Sequence, residues 1–450
     1  MNILIINGSP SGDDSITLQT MLYLRERFPG HDYRQLNAAR MIRSLEKDFT
    51  PAAEALREAE LLVFCYPVYT FLAPAQLHRF LELIRENGVD VAGRFATQVT
   101  TSKHFYDTTA HAFLREVCAD RGLRCIPGLS ADMEDLLRPQ GREEAEAFFR
   151  HTLWAVETGS CELPCRPARP DRPLTAATVP AESGGTKKAG RVVIVTDLGP
   201  GSESLSRMID RFRAVCAFST DVADLRSFPF AGGCLGCFRC AADGTCVYKD
   251  GFADFLRQRI QTADANVYAF TIRDHSIGHR FKLFDDRQFC NGHRTVTMGK
   301  PGGYLVDGAL SAEPDLRQLI EARAQVGGNP LAGIAGNEED TDRSIDHMAA
   351  ELEYALTHSF RQSANFYGVG GRKIFRDLIF QMQGMMREDH RFYKKNGFYD
   401  FPQKRPGTIL GMYLVGAMMN SRALRQKIGP NMTRGMLMPY RNVVEKAGKK

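Results

Sequence analysis

Hydrophobic and polar positions alternate in two rhythms along this chain. Short unbroken apolar runs, Asn2-Ile3-Leu4-Ile5-Ile6, Leu61 to Tyr66 and Phe95 to Thr101, are separated by longer stretches with helical spacing, such as Ser15 to Phe28. Continuous apolar runs predict strands buried on both faces, and amphipathic stretches between them predict crossover helices, so residues 1–158 read as a parallel sheet covered on both sides. The rhythm restarts with Arg191-Val192-Val193-Ile194-Val195, Ala265 to Thr271 and Gly303 to Val306 as strands, and Glu313 to Gln325 and Asp340 to Ser359 as helices. Between the two, Gly159 to Gly190 has no periodicity. It carries Pro164, Pro167, Pro170, Pro173 and Pro180 and the tract Ser183-Gly184-Gly185-Thr186-Lys187-Lys188, and predicts a linker. The expected fold is two tandem doubly wound α/β units, residues 1–158 and 191–360, joined by a linker at 159–190 and followed by a basic, mainly helical extension at 361–450.

Composition adds scale. With 450 residues, 43% hydrophobic and 25% charged, the chain has the make-up of a globular protein with room for two or three domains. Its most apolar piece, Thr408 to Met419, stops short of bilayer-spanning length and contains two glycines. Charge is uneven: from Phe366 onward 17 Lys and Arg face 5 Asp and Glu, whereas the remainder carries 41 against 48. Nine of the sixteen methionines lie in the same tail, interleaved with Phe375, Phe380, Tyr393, Phe398, Tyr399 and Phe401. A helical extension that buries Met and Phe and turns basic residues outward accounts for this pattern. The charge also suits an acidic protein, a membrane surface or a phosphate-bearing cofactor, and an acidic electron carrier is the partner this reading favours. No recognised nucleic-acid-binding module accompanies it.

The chemistry is concentrated in four cysteines within thirteen residues, Cys234, Cys237, Cys240 and Cys246. Three thiolates separated by two residues each can cover adjacent corners of an iron–sulfur cube, and a fourth arriving after a short turn closes the cage. Gly233, Gly236 and Gly244 suit a loop wound that tightly. Structural zinc more often uses two separated C-x2-C knuckles, whereas here the middle cysteine is shared. Zinc and unliganded thiols remain the alternatives. Cys65, Cys118, Cys125, Cys216 and Cys290 lie in or beside apolar segments and read as core or near-surface thiols, and Cys161 and Cys165 as a surface pair without function. The odd, thinly spread cysteine count and the lack of a signal-peptide pattern at Met1 predict a cytoplasmic protein.

Two loops point to an anionic, aromatic-stacking ligand. Asn7-Gly8-Ser9-Pro10-Ser11-Gly12-Asp13-Asp14-Ser15-Ile16-Thr17 follows the first strand and opens into a helix, where hydroxyls, amides and the helix end form a phosphate cradle. Ser15 as a helix cap is the simpler alternative. Tyr66-Pro67-Val68-Tyr69-Thr70-Phe71-Leu72-Ala73-Pro74 places aromatic and backbone groups at the same end of the sheet, where ligands of doubly wound folds bind. With these loops the chain resembles the flavodoxin-like FMN reductase family, in its iron–sulfur flavoprotein branch. By that resemblance Ser9, Pro10, Ser11, Ser15 and Thr17 belong to the FMN phosphate loop, and Pro67, Val68, Tyr69, Thr70 and Phe71, before Pro74, Ala75 and Leu77, to the isoalloxazine loop. Thr101, Ser102 and Lys103, within Thr100 to Tyr106, match the segment along the flavin's far side. Cys246 and the following Asp250 resemble the end of the 4Fe-4S motif. The resemblance spans about residues 1–360 as two copies. One departure stands out: Asp13 and Asp14 oppose a phosphate dianion unless both point to solvent.

The copies are unequal. The first has the flavin loops and no cysteine between Arg34 and Arg57; the second has the cysteines, but Thr196-Asp197-Leu198-Gly199-Pro200-Gly201-Ser202-Glu203 replaces the Gly-Ser-Pro pattern and Thr271-Ile272-Arg273 replaces Pro67-Val68-Tyr69. The expectation is an intramolecular pseudo-dimer in which the second copy's cluster faces the first copy's FMN, with further homo-oligomerisation left open. The implied activity is electron transfer between NAD(P)H or a carrier such as ferredoxin, FMN, the cluster and a small-molecule acceptor. Gly199-x-Gly201 and Gly368-x-Gly370-Gly371 are not dinucleotide fingerprints, so NAD(P)H would have to stack on the flavin itself. Lys103, His104 and Tyr106 are placed to influence reduced flavin, and no catalytic acid is named. The competing function is a redox- or zinc-dependent sensor with a vestigial flavin site.

Overall fold

The computed structural model describes residues 1–162, 174–180, 186–338, 340–420, 437, 440–441 and 443–447. Two compact units make up the chain, Met1–Phe392 and Tyr393–Lys450.

In the larger unit the first half runs β1 (Asn2–Asn7), α1 (Ile16–Arg27), β2 (Asp32–Leu36), α2 (Ile42–Leu45), α3 (Thr50–Glu58), β3 (Leu61–Pro67), α4 (Ala75–Glu86), β4 (Phe95–Ser102), α5 (Asp107–Asp120), β5 (Arg124–Cys125), β6 (Leu129–Asp132) and α6 (Pro139–Thr158). The second half runs β7 (Lys188–Thr196), α7 (Glu203–Val215), β8 (Phe218–Asp224), α8 (Arg239–Asp243), α9 (Phe252–Phe255), β9 (Ala265–Thr271), α10 (Gly278–Arg287), β10 (Gly302–Asp307), α11 (Pro314–Gly327), β11 (Leu331–Gly336) and α12 (Thr341–Thr357). The sheets have the orders β2-β1-β3-β4-β5 and β8-β7-β9-β10-β11, all parallel, and β6 pairs with β4 beyond β5. Each strand of the second sheet therefore has a counterpart in the first, in the 2-1-3-4-5 order of flavodoxin-like folds. A basic tail of helices follows: α13 (Phe366–Gln381), α14 (Arg387–Lys395) and α15 (Pro406–Asn420). The two α/β domains and helical C-terminal region agree with the fold predicted above.

Strand periodicity sorts the apolar side chains into three layers. Ile3 and Ile5 point to α1 and α6, burying Leu18, Met21, Leu24 and Phe149. Val192 and Ile194 do the same with Leu205, Met208, Phe212, Ile345 and Leu352 of α7 and α12. The opposite faces, Leu4 and Ile6 in one sheet and Val193 and Val195 in the other, share one continuous core with residues of α4, α5, α10 and α11. Equivalent helices, α4 against α10, meet in that shared layer. At about 25 cal/mol per Å² of apolar surface buried, a core common to both sheets makes the halves interdependent in stability.

The expected linker is only partly free of structure. Residues 163–173 and 181–185, including Cys165, lie outside the described residues, but the intervening piece docks on the second half: Thr175 N–H donates to Asn337 O at 2.6 Å, Thr178 N–H to Asp342 Oδ1 at 2.9 Å, and Ala177 is buried. Helix α13 of the extension belongs to the larger unit. Gly371 lies where a Cβ would meet Val326 at 2.6 Å and Phe105 at 3.0 Å, and Gly368 where it would meet Gln325 O at 2.9 Å, so these two glycines serve close helix packing, whereas Gly370 faces open space. Among the described residues no helix is long and apolar enough to cross a membrane.

Ion pairs hold the halves across the shared layer. Asp286 on α10 accepts from Ala75 N–H at 2.8 Å, at the start of α4, and pairs with Lys282, whose ammonium donates to Tyr69 O at 2.7 Å; Lys282 and Asp286 are fully buried. His279 donates to Glu82 from its backbone at 3.0 Å and from its ring at 2.6 Å. His275 bridges Glu313 of its own half at 2.9 Å and Asp120 of the other at 2.6 Å.

These hydrogen bonds, to Glu313 first and Asp120 next, raise His275 from 6.5 to about 9. A raised histidine stabilises the fold fully below its unfolded value and ceases to do so as pH rises through the folded one. Urea midpoints are therefore expected to fall between pH 6.5 and 9, and His275→Gln should flatten that part of the profile. Glu116, raised mainly by burial to about 7, loses its stabilising proton in a lower window and would remain visible in the variant. An unchanged slope in His275→Gln would refute the bridge.

Candidate flavin and cysteine-loop site

Parallel pairing brings the three predicted flavin loops to one edge. Asn7 lies beside Cys65 and Pro67 beside Thr101, so the loops after β1, β3 and β4 emerge side by side. The first loop folds on itself: Asn7 Nδ2 donates to Gly12 O at 2.8 Å, Ser9 N–H donates to Asn7 Oδ1 at 3.1 Å, and Ser11 N–H to Ser9 Oγ at 3.3 Å. Ser15 caps α1 by accepting from Leu18 N–H at 3.3 Å, and Thr17 shares a 2.5 Å hydrogen bond with Thr101. Ser9, Ser15, Thr17, Thr101 and Ser102 are thus buried together, while Pro10 is buried and Ser11 half-buried at the loop's turn.

The two aspartates of this loop do not face it. Asp13 and Asp14 are exposed, and Asp13 accepts from Gln35 Nε2 at 2.8 Å and Asn37 Nδ2 at 3.0 Å, hydrogen bonds that lower its pKa. Their charges are therefore turned away from the hydroxyl cradle. Lys103 is also committed, pairing with Asp132 at 2.8 Å and Glu134 at 3.5 Å, and His104 is held by Asp107 at 2.9 Å.

The isoalloxazine-type loop is a tight turn. Tyr69 and Leu72 exchange backbone hydrogen bonds of 2.8 and 3.1 Å, with Thr70 and Phe71 at positive φ. The second half repeats it: Arg273 and Ser276 exchange bonds of 2.9 and 3.0 Å, with Asp274 and His275 at positive φ. The backbone device persists although the side chains differ. The second half's phosphate-loop counterpart is occupied by its own side chain, since the Arg226 guanidinium lies against Gly199 and donates to Asp197 O at 2.9 Å.

The cysteine loop comes from the second half and lies on the first. Gly236, at φ +65°, packs so closely on the Tyr69 hydroxyl that any Cβ would overlap it, and Gln76 Nε2 of α4 reaches Cys234 O at 3.4 Å. The base of the loop is pinned by Arg287, whose guanidinium donates twice to Asp250 at 2.8 Å and once to Gly232 O at 2.8 Å, while Tyr248 donates to Gly233 O at 3.0 Å. Asp250 is therefore the clasp that closes the motif.

Cys234, Cys240 and Cys246 are half-buried and Cys237 is exposed. Burial pushes Cys234 up and Cys240 up to about 11, Asp286 and Asp389 and then the neighbouring thiols add to the rise, and the backbone amides of Gly236 and Gly292 act in the opposite sense. A cationic centre would relieve that opposition. Among the described residues no three of these sulfurs come within 4.8 Å of one another. The side chains that do meet that spacing are Glu116, His275 and Glu313. Both His275 ring nitrogens already face carboxylates, which makes it a salt-bridging imidazolium.

Sequence reasoning missed two parts of this site. Cys290, read as a core thiol, is pushed up to about 12 mainly by burial, and lies close enough to Cys246 and Cys240 for them to add to the rise. An aromatic belt also joins the two regions: Tyr69 to Phe289 at 6.1 Å, Phe289 to His293 at 5.9 Å, His293 to Phe375 at 4.8 Å, and Phe375 stacked on Phe105 at 4.1 Å. Phe375, one of the tail's interleaved aromatics, was the available signal, and only tertiary packing of α13 gives it a place.

Residues 1–108 match a family model described as a flavodoxin-like fold. No curated protein matches the chain. Similar solved structures include a flavoenzyme NAD(P)H:acceptor oxidoreductase from Paracoccus denitrificans, 14% identical, covering 35% of this chain and 97% of that one, TM-score 0.30. An NAD(P)H:quinone oxidoreductase from Methanothermobacter marburgensis is 16% identical, covering 36% and 98%, TM-score 0.28. An FMN-dependent NADH-azoreductase from Bacillus anthracis in complex with FMN is 15% identical, covering 33% and 98%, TM-score 0.27.

Proposed function

We propose that this chain is an oxidoreductase holding FMN in the first half and a 4Fe-4S cluster on Cys234, Cys237, Cys240 and Cys246 of the second. It would pass electrons between NAD(P)H or a carrier protein and a small-molecule acceptor. The observation that carries this reading is the seating of the cysteine loop on Tyr69 of the other half's isoalloxazine-type loop. FMN is supported by the strand order, whose switch point between β1 and β3 is where flavodoxin-like folds bind it.

When bound, FMN supplies two-electron chemistry and the cluster single-electron transfer, with the protein fixing distance and local charge. The hydroxyls of Ser9, Ser11, Ser15 and Thr17 would hold the phosphate, and Pro67 to Phe71 would flank the ring together with Thr101 and Ser102. Lys103, neutralised by Asp132 and Glu134, would act through its backbone and through the position it gives the loop. At the cysteine loop, the Gly236 and Gly292 amides favour thiolates and Arg287 places a guanidinium near Cys246. Lys282 and Asp286 position Tyr69 and the start of α4, which connects the ion pairs between halves to the geometry of both candidate centres.

Anaerobic purification tests the reading. A brown-yellow protein that releases FMN and contains iron and acid-labile sulfide is expected. A colourless protein containing zinc would instead support the sensor reading.

A further inference from the structure

We infer that α15 docks the protein peripherally on a membrane surface rich in anionic lipid. From Pro406 to Asn420 the helix has no charged residue, and its large apolar side chains are exposed around the circumference: Leu410 is 63%, Tyr413 75% and Leu414 61% exposed, with Ile409, Met412, Val415 and Met418 also open. Gly407, Gly411 and Gly416 have no atom within 4 Å of the space a side chain would take. A helix that is apolar on every side cannot be satisfied by one protein surface, which covers only one face; it needs a core or a lipid phase.

Length and charge select how lipid would be met. The uncharged run between Arg405 and Arg422 would span only about 24 Å as a helix, less than the roughly 30 Å hydrocarbon thickness. From Phe401 to Lys450 ten Lys and Arg stand against the single acid Glu445. Arg405 is exposed just before the helix, and Arg441 and Lys446 are exposed after it. Lys404 lies 5.7 Å from the Tyr399 ring and 5.4 Å from Phe401, so basic and aromatic groups sit together at the helix approach. Apolar insertion plus attraction of flanking cations to anionic headgroups is the usual basis of interfacial helix binding. The tail's charge and its Met-rich apolar run, two separate oddities of composition, then have one cause.

Co-sedimentation of the full chain with vesicles provides the test. Vesicles of phosphatidylcholine mixed with phosphatidylglycerol should bind it, pure phosphatidylcholine about tenfold less, and high salt should release much of the bound fraction. The double variant Leu410→Glu, Leu414→Glu should lower partition to the mixed vesicles by about tenfold or more while keeping the wild-type melting transition and oligomeric state. Equal binding by the variant would overturn the inference, because charge alone would then suffice. Failure of the wild type to bind mixed vesicles would also overturn it. So would a lowered melting temperature or a changed oligomeric state in the variant, because the helix would then be covered by this protein or by a second copy. Docking of a soluble acidic carrier without vesicle binding would assign the tail to that partner instead. None of these readouts depends on the proposed redox centres.

Discussion

Cys240→Ser is expected to abolish the broad visible absorbance and acid-labile sulfide of the anaerobically purified protein while leaving FMN at the wild-type ratio. Cys240 is half-buried and lies near Cys237, Cys246 and Cys290, so on the proposed reading serine removes a central cluster ligand without opening the flavin cradle. Ser9→Glu combined with Ser15→Glu should give the converse result, because both hydroxyls are buried in the first-half loop and carboxylates there would repel a phosphate dianion. Parallel loss of iron and flavin in every variant, with the fold intact, would show that the two centres are not divided between the halves. Retention of full cluster absorbance in Cys240→Ser would point to Cys290 as the substitute ligand. The double change at Cys240 and Cys290 separates that outcome from a cysteine loop that binds no iron.

Lys282→Met is expected to destabilise the protein by about 3–5 kcal/mol, because it leaves Asp286 as an uncompensated buried charge. Both side chains have no exposed surface. Burial raises Asp286 to about 6, and the neighbouring ammonium acts against that rise. Part of the loss should be recovered by Lys282→Met with Asp286→Leu, since an apolar pair of similar volume avoids the desolvation cost. Chemical denaturation monitored by circular dichroism measures both. A single-variant loss below about 1 kcal/mol would mean that water reaches the pair and that it is not a buried clamp. The same substitution removes the donor to Tyr69 O, so the flavin affinity of the folded fraction should fall as well.

Much of the architecture was legible because it rests on local pattern. The buried strands β1, β3, β4, β7, β9 and β10 are continuous apolar runs, and α11 and α12 have amphipathic spacing that does not depend on partners. The edge strand β2 was harder to read: every position of Asp32–Leu36 is exposed or half-exposed, so no apolar run marks it. The cysteine spacing and the Gly-Ser-Pro loop were visible because their chemistry lies within a few residues of sequence. Asp13 shows the limit. Its charge was visible, but its direction depends on Gln35 and Asn37 across the neighbouring strand and loop.

By itself, then, the amino-acid order determined the two parallel sheets and the helical C-terminal region, and it placed four cysteines in one short loop, since each follows from neighbours close along the chain. Tertiary structure alone decided that Gly236 rests on Tyr69, that Arg287 and Asp250 clasp the loop, that Cys290 joins its surroundings, and that Phe375 bridges to Phe105. These contacts join residues as far apart as 270 positions, Phe105 to Phe375. They depend on α4 packing against α10 in one shared core. No periodicity within either half encodes that docking, because it arises from complementarity between two surfaces, each assembled from residues of several helices and strands.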